Sequence, residues 1–90
     1  MGSRIYRITI RSVDNSADIV QTIVALFRYN AGSRVWELER RVDDLQANDF
    51  PFSIDGLTSG LYYVRVDQEL RSGGYVTVIS TTQDAGFDGK

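Results

Sequence analysis

The residues best suited to metal chemistry form an acidic segment in the middle of the chain, where Asp43 and Asp44 are followed by Asn48 and Asp49. Hard cations such as Ca²⁺ take several oxygen ligands, which one flexible loop can supply. The spacing matches no calcium-loop motif, and Asp and Asn side chains also form turns by bonding to their own backbone. We therefore expect a solvated turn here and no metal site.

Arginines near the N-terminus offer a second chemistry, because Arg7 and Arg11 share one side of an alternating segment. Together with exposed Tyr63 and Tyr75 as stacking platforms, they could bind an anion or a nucleic acid. Charged side chains also protect the edge of an outer strand. Because the formal net charge is −2, we expect edge protection and no nucleic-acid partner.

The chain contains one tryptophan, Trp36. An indole can stack on a sugar or on a protein partner, but in a small β domain a single tryptophan is more often the largest filler of the core. We therefore expect Trp36 to face inward.

Catalytic residues are scarce, because the sequence has no histidine and no cysteine. This composition excludes disulfides, thiol nucleophiles, thiolate metal sites and a histidine general base. The serine and threonine hydroxyls lack an activating histidine, and the carboxylates lie in no recognisable catalytic pattern. We expect a protein without enzymatic activity and without a cofactor.

The length of 90 residues predicts one small domain. No stretch approaches the roughly 20 apolar residues of a membrane helix, so membrane insertion is not expected. The first residues lack the basic-then-apolar plan of a signal peptide. We expect a cytoplasmic or virion location if Met1 is the native start, and a cell-surface or extracellular one if a leader has been removed.

The first predicted strand lies within residues 4–11, where apolar and polar residues alternate with period two. Its apolar face would fill a groove in a partner subunit or complete the domain's own sheet. With the arginines of its other face and one exposed tyrosine, it supplies the candidate interaction residues, which are Tyr6, Ile8, Ile10, Arg7, Arg11 and Tyr63.

The segment Ile19 to Tyr29 fits either a strand or a helix. As a strand it would direct one alternating set of residues inward, namely Ile19, Ile23, Ala25 and Phe27. As a helix it would begin at Ser16 or Asp18 and bury a stripe of apolar side chains. Its isoleucine and valine content favours the strand.

Further strands are predicted at Arg34 to Val42, within Phe50 to Asp67, and at Tyr75 to Thr81. The first of them would face inward at Trp36 and Leu38. Short strands spaced by about 10 residues and separated by turn residues predict an all-β sandwich or barrel. We expect one domain over residues 1–82, followed by a flexible tail over residues 83–90.

The clearest motif is a pattern of apolar residues, glycine and tyrosine that spans a predicted corner between two strands. Its positions are Phe52, Ile54, Leu57, Gly60, Tyr62, Val64 and Val66. The pattern resembles the strand–corner–strand of prealbumin-like sandwiches, which include carboxypeptidase regulatory-like domains and the B-type repeats of bacterial collagen adhesins. The resemblance implies a small antiparallel, immunoglobulin-like sandwich of about six to seven strands.

In such a corner, Leu57 would insert into the core and Gly60 would permit the sharp turn. Tyr62 would begin the next strand with its ring buried and its hydroxyl near water. Adhesin repeats often carry an isopeptide bond from a lysine, but the only lysine here is Lys90, so none is expected.

A second resemblance leads to a different fold. The segment Ile23 to Leu45 is loosely similar to the paired helices of the C-terminal domain of the ribosomal stalk protein. That similarity implies an α/β domain that binds translation factors. It would require Leu61 to Val66 to be helical, against the strong β preference of those residues.

The favoured function is that of a non-enzymatic structural or interaction module, which presents a β-sandwich surface to a protein partner or to copies of itself. A surface adhesin-like module and a virion or appendage subunit both fit this description. The alternatives are the stalk-like factor-binding domain and a carbohydrate-binding accessory domain.

Overall fold

A computed structural model describes residues 6–79 and 83–84 as an all-β domain. The strands are β1 (Tyr6–Ile10), β2 (Ile19–Asn30), β3 (Val35–Leu45), β4 (Phe52–Leu57), β5 (Leu61–Leu70), β6 (Tyr75–Ile79) and β7 (Gln83–Asp84), with a 3₁₀ turn at Ala47–Asp49. These residues include no α-helix. The predicted all-β fold is therefore confirmed. The stalk-like α/β alternative is wrong. It requires helices within Ile23 to Leu45 and at Leu61 to Val66, but these segments lie in the strands β2, β3 and β5.

The strands form two antiparallel sheets that pack as a small sandwich. β1 and β4 form a two-stranded sheet, and the larger sheet has the order β3-β2-β5-β6, with β7 also pairing with β5. The hairpin of β2 and β3 is long, and the domain measures 48 × 28 × 18 Å. The small sheet thus lies against only part of the larger one.

The hydrophobic core lies between the two sheets. Its side chains come from β1 and β4 on one side and from β2, β3 and β5 on the other. The buried members are Ile8, Val24, Leu26, Leu45, Ile54, Leu57, Tyr62, Val64 and Val66. Alternate residues of β5 are buried from Tyr62 to Gln68, which is the period expected when a strand covers a core with one face.

The face of β2 that is directed toward the core differs from the prediction. Val24 and Leu26 point into the core, whereas Ile23, Ala25 and Phe27 lie on the opposite face of the sheet. β2 is an inner strand whose faces are both apolar, so period two alone does not distinguish them. Three of the four residues predicted to face inward, Ile23, Ala25 and Phe27, therefore face outward, and a register shift separates Ile19 from them.

The expectation that Trp36 and Leu38 face the core is also wrong. Both lie on β3, opposite Tyr29 and Phe27 of β2, on the face directed away from the core. Trp36 is 38% exposed and Leu38 is 56% exposed. The reason is topological: β3 is the edge strand of the large sheet, and the face that Trp36 and Leu38 share with Tyr29 and Phe27 is not the one that the small sheet covers.

The corner between β4 and β5 is built around Leu57 and Tyr62, which are both buried in the core. The Tyr62 hydroxyl donates a hydrogen bond to the carbonyl of Thr58 at 3.0 Å. Gly60 has no positive φ; the glycine of this region that does is Gly56, with φ of 77°. Gly56 lies at a β-bulge, where the register between β1 and β4 shifts, so it supplies the left-handed conformation that the bulge requires.

The predicted tail begins with Gln83 and Asp84, which pair with Tyr62 and Leu61 of β5. The rest of the predicted tail, residues 85–90, lies outside the described residues. Within the described ranges, no helix has the length and apolar character needed to cross a membrane.

Candidate interaction surface

The face of the large sheet that points away from the core is its main surface feature, and we call it the open face. Residues opposite one another in neighbouring strands share a face, and the pairs Phe27–Leu38, Phe27–Tyr63 and Tyr29–Trp36 lie on this one. Among residues 6–79 and 83–84, no strand or turn packs over these side chains. The open face is therefore available to a ligand or a partner.

Four aromatic rings form a continuous cluster on the open face. Phe27 and Tyr63 stack with centroids 4.8 Å apart and planes 13° apart. Trp36 lies edge-on to Tyr63 at 5.0 Å, and it contacts Tyr29 at 5.1 Å with a tilt of 56°. With the adjacent exposed Leu38, these rings form a surface that we call the aromatic platform.

The platform follows from strand order and register. β2 contributes Phe27 and Tyr29, and its neighbours β5 and β3 place Tyr63 and Trp36 beside them. Aromatic residues on adjacent strands stabilise a sheet through cross-strand pairs of about 0.2–1 kcal/mol each. The four rings consequently hold one another in fixed orientations, although they contribute little to the core.

A polar region borders the platform further along the sheet. The guanidinium of Arg65 lies over the ring of Phe27, with Cζ 5.3 Å from the centroid. Arg65 also donates to Asp67 at 3.1 Å, and the hydroxyl of Thr77 donates to the same carboxylate at 2.6 Å. Arg65, Asp67 and Thr77 help to line a shallow depression of about 470 Å³, together with Ile23, Arg41 and Tyr75.

A second ion pair lies at the rim of this depression, where Arg41 donates to Asp43 at 2.8 Å. The pKa of Arg41 is raised above its ordinary value by this hydrogen bond and by the charge of the same carboxylate. Like any arginine, Arg41 is cationic at neutral pH. Because both arginines of this region are paired with aspartates, the depression offers polar contacts without a strong net charge.

The structure separates the candidate interaction residues of the first strand. Ile8 is buried in the domain's own core, and Ile10 packs partly buried against it. Arg7 is exposed and forms an ion pair with Asp55 of β4, and Arg11 is exposed at the end of β1. The apolar side of β1 thus completes its own domain, and its arginines are on the surface.

The other two candidates lie apart. The backbone of Tyr6 is paired with Leu57 at the start of β1. Tyr63 is half-buried within the aromatic platform on the other sheet. Tyr63 is therefore not part of an arginine patch, and its neighbours are Phe27 and Trp36.

Two carboxylates of the acidic segment accept hydrogen bonds within the chain. Asp43 accepts from Arg41, and Asp49 accepts from the backbone N–H of Gln46 at 2.7 Å. In the described part of the chain, no three acidic side chains converge on a possible metal position.

A second exposed apolar feature lies on the opposite side of the large sheet, at β6. Val76 is opposite Gln68 and Val78 is opposite Val66, so both valines share the face that is buried beneath the small sheet at β5. Val76 is nevertheless 46% exposed and Val78 is 58% exposed. The small sheet therefore does not reach β6, and the two valines form what we call the β6 strip.

Sequence reasoning missed the platform and the β6 strip for the same reason. Phe27, Leu38 and the valines of β6 have the residue types of core positions, and only strand order shows which part of the sheet is covered. A usable signal was the stretch Arg34–Arg41, where charged residues flank Trp36 and Leu38 on nearly every side. That pattern is typical of an edge strand.

No known family model matches this chain, and no curated protein or solved structure is significantly similar to it.

Proposed function

We propose that this protein is a non-enzymatic β-sandwich module that binds a protein partner or an assembly through its open face. The observation that carries the proposal is the aromatic platform, in which Trp36 and Leu38 remain exposed beside fixed aromatic rings. Tryptophan, tyrosine and arginine are the residues most enriched among those that dominate protein–protein binding energies. A surface adhesin-like module and a virion or appendage subunit remain the two contexts that fit this function.

The tilt of the rings supports a protein ligand over an extended glycan. A chain of sugars stacks best on rings that present one flat surface, but Trp36 is inclined by 77° to Tyr63 and by 56° to Tyr29. Rings inclined in this way do not form one flat surface, and the apolar side chains of a protein partner can pack against them. Carbohydrate binding is therefore the competing outcome in the experiment below.

The experiment is selection of binding peptides from a random library displayed on phage, with the isolated domain as bait. The matched control is a variant with Trp36→Ser and Leu38→Ser, which removes the exposed part of the platform and leaves the core unchanged. We expect enriched peptides with apolar or aromatic anchors that bind the native domain and lose at least about tenfold in affinity for the variant.

The same two proteins are tested in parallel on a glycan array. Glycan binding that depends on Trp36 and Leu38, without peptide enrichment, would replace the protein-binding proposal by the carbohydrate-binding one. Peptides that bind the native domain and the variant equally well would place the binding surface elsewhere and overturn the role of the platform.

A further inference from the structure

The β6 strip lies beside a sheet edge that can accept another strand. In the described residues, β1 pairs only with β4, so its other edge presents free backbone N–H and C=O groups. The loop after β1 contacts β5, where Gln68 donates to the carbonyl of Asp14 at 2.9 Å. β4, by contrast, follows the opposite edge strand β3 through residues 46–51. These two connections indicate that the free edge of β1 faces the β6 side of the sandwich.

An added strand at that edge would lie over the β6 strip. Neighbouring strands are about 4.8 Å apart, and their side chains alternate between the two faces. The inward side chains of the added strand would contact Val76 and Val78 and shield them from water. Its outward side chains would lie near Arg11 and near Arg7, which is already paired with Asp55, so Arg11 supplies most of the attraction for an acidic side chain. The edge therefore selects a strand with alternating apolar and acidic residues.

The chain itself contains such a strand, exposed at the edge of the large sheet. From Val35 to Glu39 the sequence reads Val-Trp-Glu-Leu-Glu, and all these residues are exposed. This stretch ends at a β-bulge, where the register with β2 shifts. Since β3 is the last strand of its sheet, its outer backbone groups are free to pair with another strand.

Charge distinguishes this pairing from the simplest symmetric alternative. If two copies of β1 paired antiparallel about Thr9, Arg7 would lie opposite Arg11, and like charges directly opposite one another are destabilising. Pairing β3 with β1 instead brings Glu37 and Glu39 near the two arginines. Pairing β3 with β1 thus places apolar residues against apolar ones and acidic residues near basic ones.

We propose that copies of this chain associate head to tail, with the Val35–Glu39 stretch of one copy adding to the free edge of β1 in the next. Trp36 and Leu38 of the first copy then cover Val76 and Val78 of the second. This inference rests on the proposed function and names a second copy as the occupant of the exposed β3 side chains. Because the two surfaces differ, a pair of copies leaves one donor surface and one acceptor surface unused, one on each copy, and the association is open-ended.

Sedimentation velocity of the intact protein over about 1–100 μM tests the proposal, since this range reveals weak contacts. We expect the weight-average mass to rise with concentration and to pass the dimer mass without a plateau. The donor variant combines Glu37→Lys with Glu39→Lys, and the acceptor variant carries Arg11→Glu. Each variant alone should associate at least about tenfold more weakly than the native chain, because like charges then face each other.

A mixture of the two variants distinguishes a head-to-tail contact from a symmetric one. The acceptor variant has a native donor surface and the donor variant has a native acceptor surface, so an equimolar mixture should form one-to-one complexes. The control is Asp18→Lys, a charge reversal in an exposed turn outside both surfaces, which should associate like the native chain. Circular dichroism of every variant establishes that the β fold is retained.

A monomer at 100 μM, a closed dimer, or association that both variants leave unchanged would overturn the head-to-tail proposal. These outcomes do not affect the peptide selection described above, which tests the open face against foreign partners. The peptide selection can also fail by itself. If it yields no peptides while the donor and acceptor variants both lose association, a second copy of the chain is the ligand of the surface around Trp36 and Leu38.

Discussion

The guanidinium of Arg28 lies over the ring of Tyr62, with Cζ 5.5 Å from the ring centroid. The same guanidinium donates to the hydroxyl of Thr58 and to the carbonyl of Ser59, each at 3.1 Å. The Tyr62 hydroxyl donates to the carbonyl of Thr58. Two side chains from neighbouring strands thus fix the turn that connects the two sheets, and this turn determines how β4 lies on β5.

Removing the hydroxyl of Tyr62 should weaken this turn. Tyr62→Phe keeps the buried ring and its contact with Arg28 but leaves the carbonyl of Thr58 without this donor. We expect a loss of about 0.5–1.5 kcal/mol in the free energy of unfolding, measured by urea denaturation. The control is Tyr75→Phe, which removes a hydroxyl from an exposed ring and should change stability by less than about 0.5 kcal/mol.

Gly60 is required by the position of Arg28 and not by its own backbone conformation. A Cβ at Gly60 would lie 3.1 Å from both Nε and Nη2 of Arg28, which is too close unless the guanidinium moves. We expect Gly60→Ala to destabilise the native chain by about 0.5–1 kcal/mol and to have a smaller effect when Arg28 is alanine. Equal effects in the two backgrounds, measured by thermal denaturation, would contradict this account.

Gly56 is the glycine whose backbone conformation matters, because its φ of 77° is strained for any residue with a Cβ. A Cβ there would meet nothing closer than 3.7 Å, so the cost of Gly56→Ala comes from the backbone alone. We expect a loss of about 1 kcal/mol or more. Gly74 has open space and no positive φ, so Gly74→Ala is the matched control and should be neutral or slightly stabilising. A shared effect of both substitutions on the melting temperature would argue against the bulge at Gly56.

The all-β class and most strand positions could be predicted from the sequence, since period two and β-branched residues are local signals. β5 is the clearest example, because Tyr62, Val64 and Val66 alternate with more polar neighbours and only one face is apolar. β2 lacks that asymmetry, so its direction depends on which face the small sheet covers. That information is contained in the strand order and not in the segment itself.

The candidate site was harder to predict, because the exposure of a side chain in the large sheet depends on which face the small sheet covers and on how far across that face it extends. Trp36 is of a residue type that is common in the core, but it occupies a surface position. Likewise, the arginines of β1 were recognised as exposed, but the apolar residues that flank them on an acceptor surface are Val76 and Val78, more than 60 positions away in the chain. No local pattern connects residues so far apart.

The corner residue Leu57 should be among the most costly to truncate. Its side chain is 2% exposed and contacts the shared core. Leu57→Ala removes apolar contacts and leaves a cavity, so we expect a loss of about 2–4 kcal/mol in unfolding free energy. Leu61→Ala is the control, because Leu61 is 41% exposed and should lose less than about 1 kcal/mol. A change at Leu57 no larger than that at Leu61 would place Leu57 outside the core.

The position of Trp36 on the open face predicts that it contributes less to stability than a smaller residue in the core. Trp36→Ala removes edge and tilted contacts with Tyr63 and Tyr29, which are worth about 0.5–1.5 kcal/mol each beyond burial. Part of this loss is offset because the substitution also removes apolar surface of the indole that is exposed to water, so we expect a net cost of about 1–2 kcal/mol. Leu26→Ala, at a fully buried position of β2, should cost about 2–5 kcal/mol. Urea denaturation followed by circular dichroism compares the two variants.

Since Trp36 is the only tryptophan, its fluorescence in the native chain gives an independent measurement of its exposure. Below about 1 μM the emission should be readily quenched by acrylamide. A blue-shifted, unquenchable emission at that concentration, or a cost of Trp36→Ala above that of Leu26→Ala, would show that the indole is buried within the monomer.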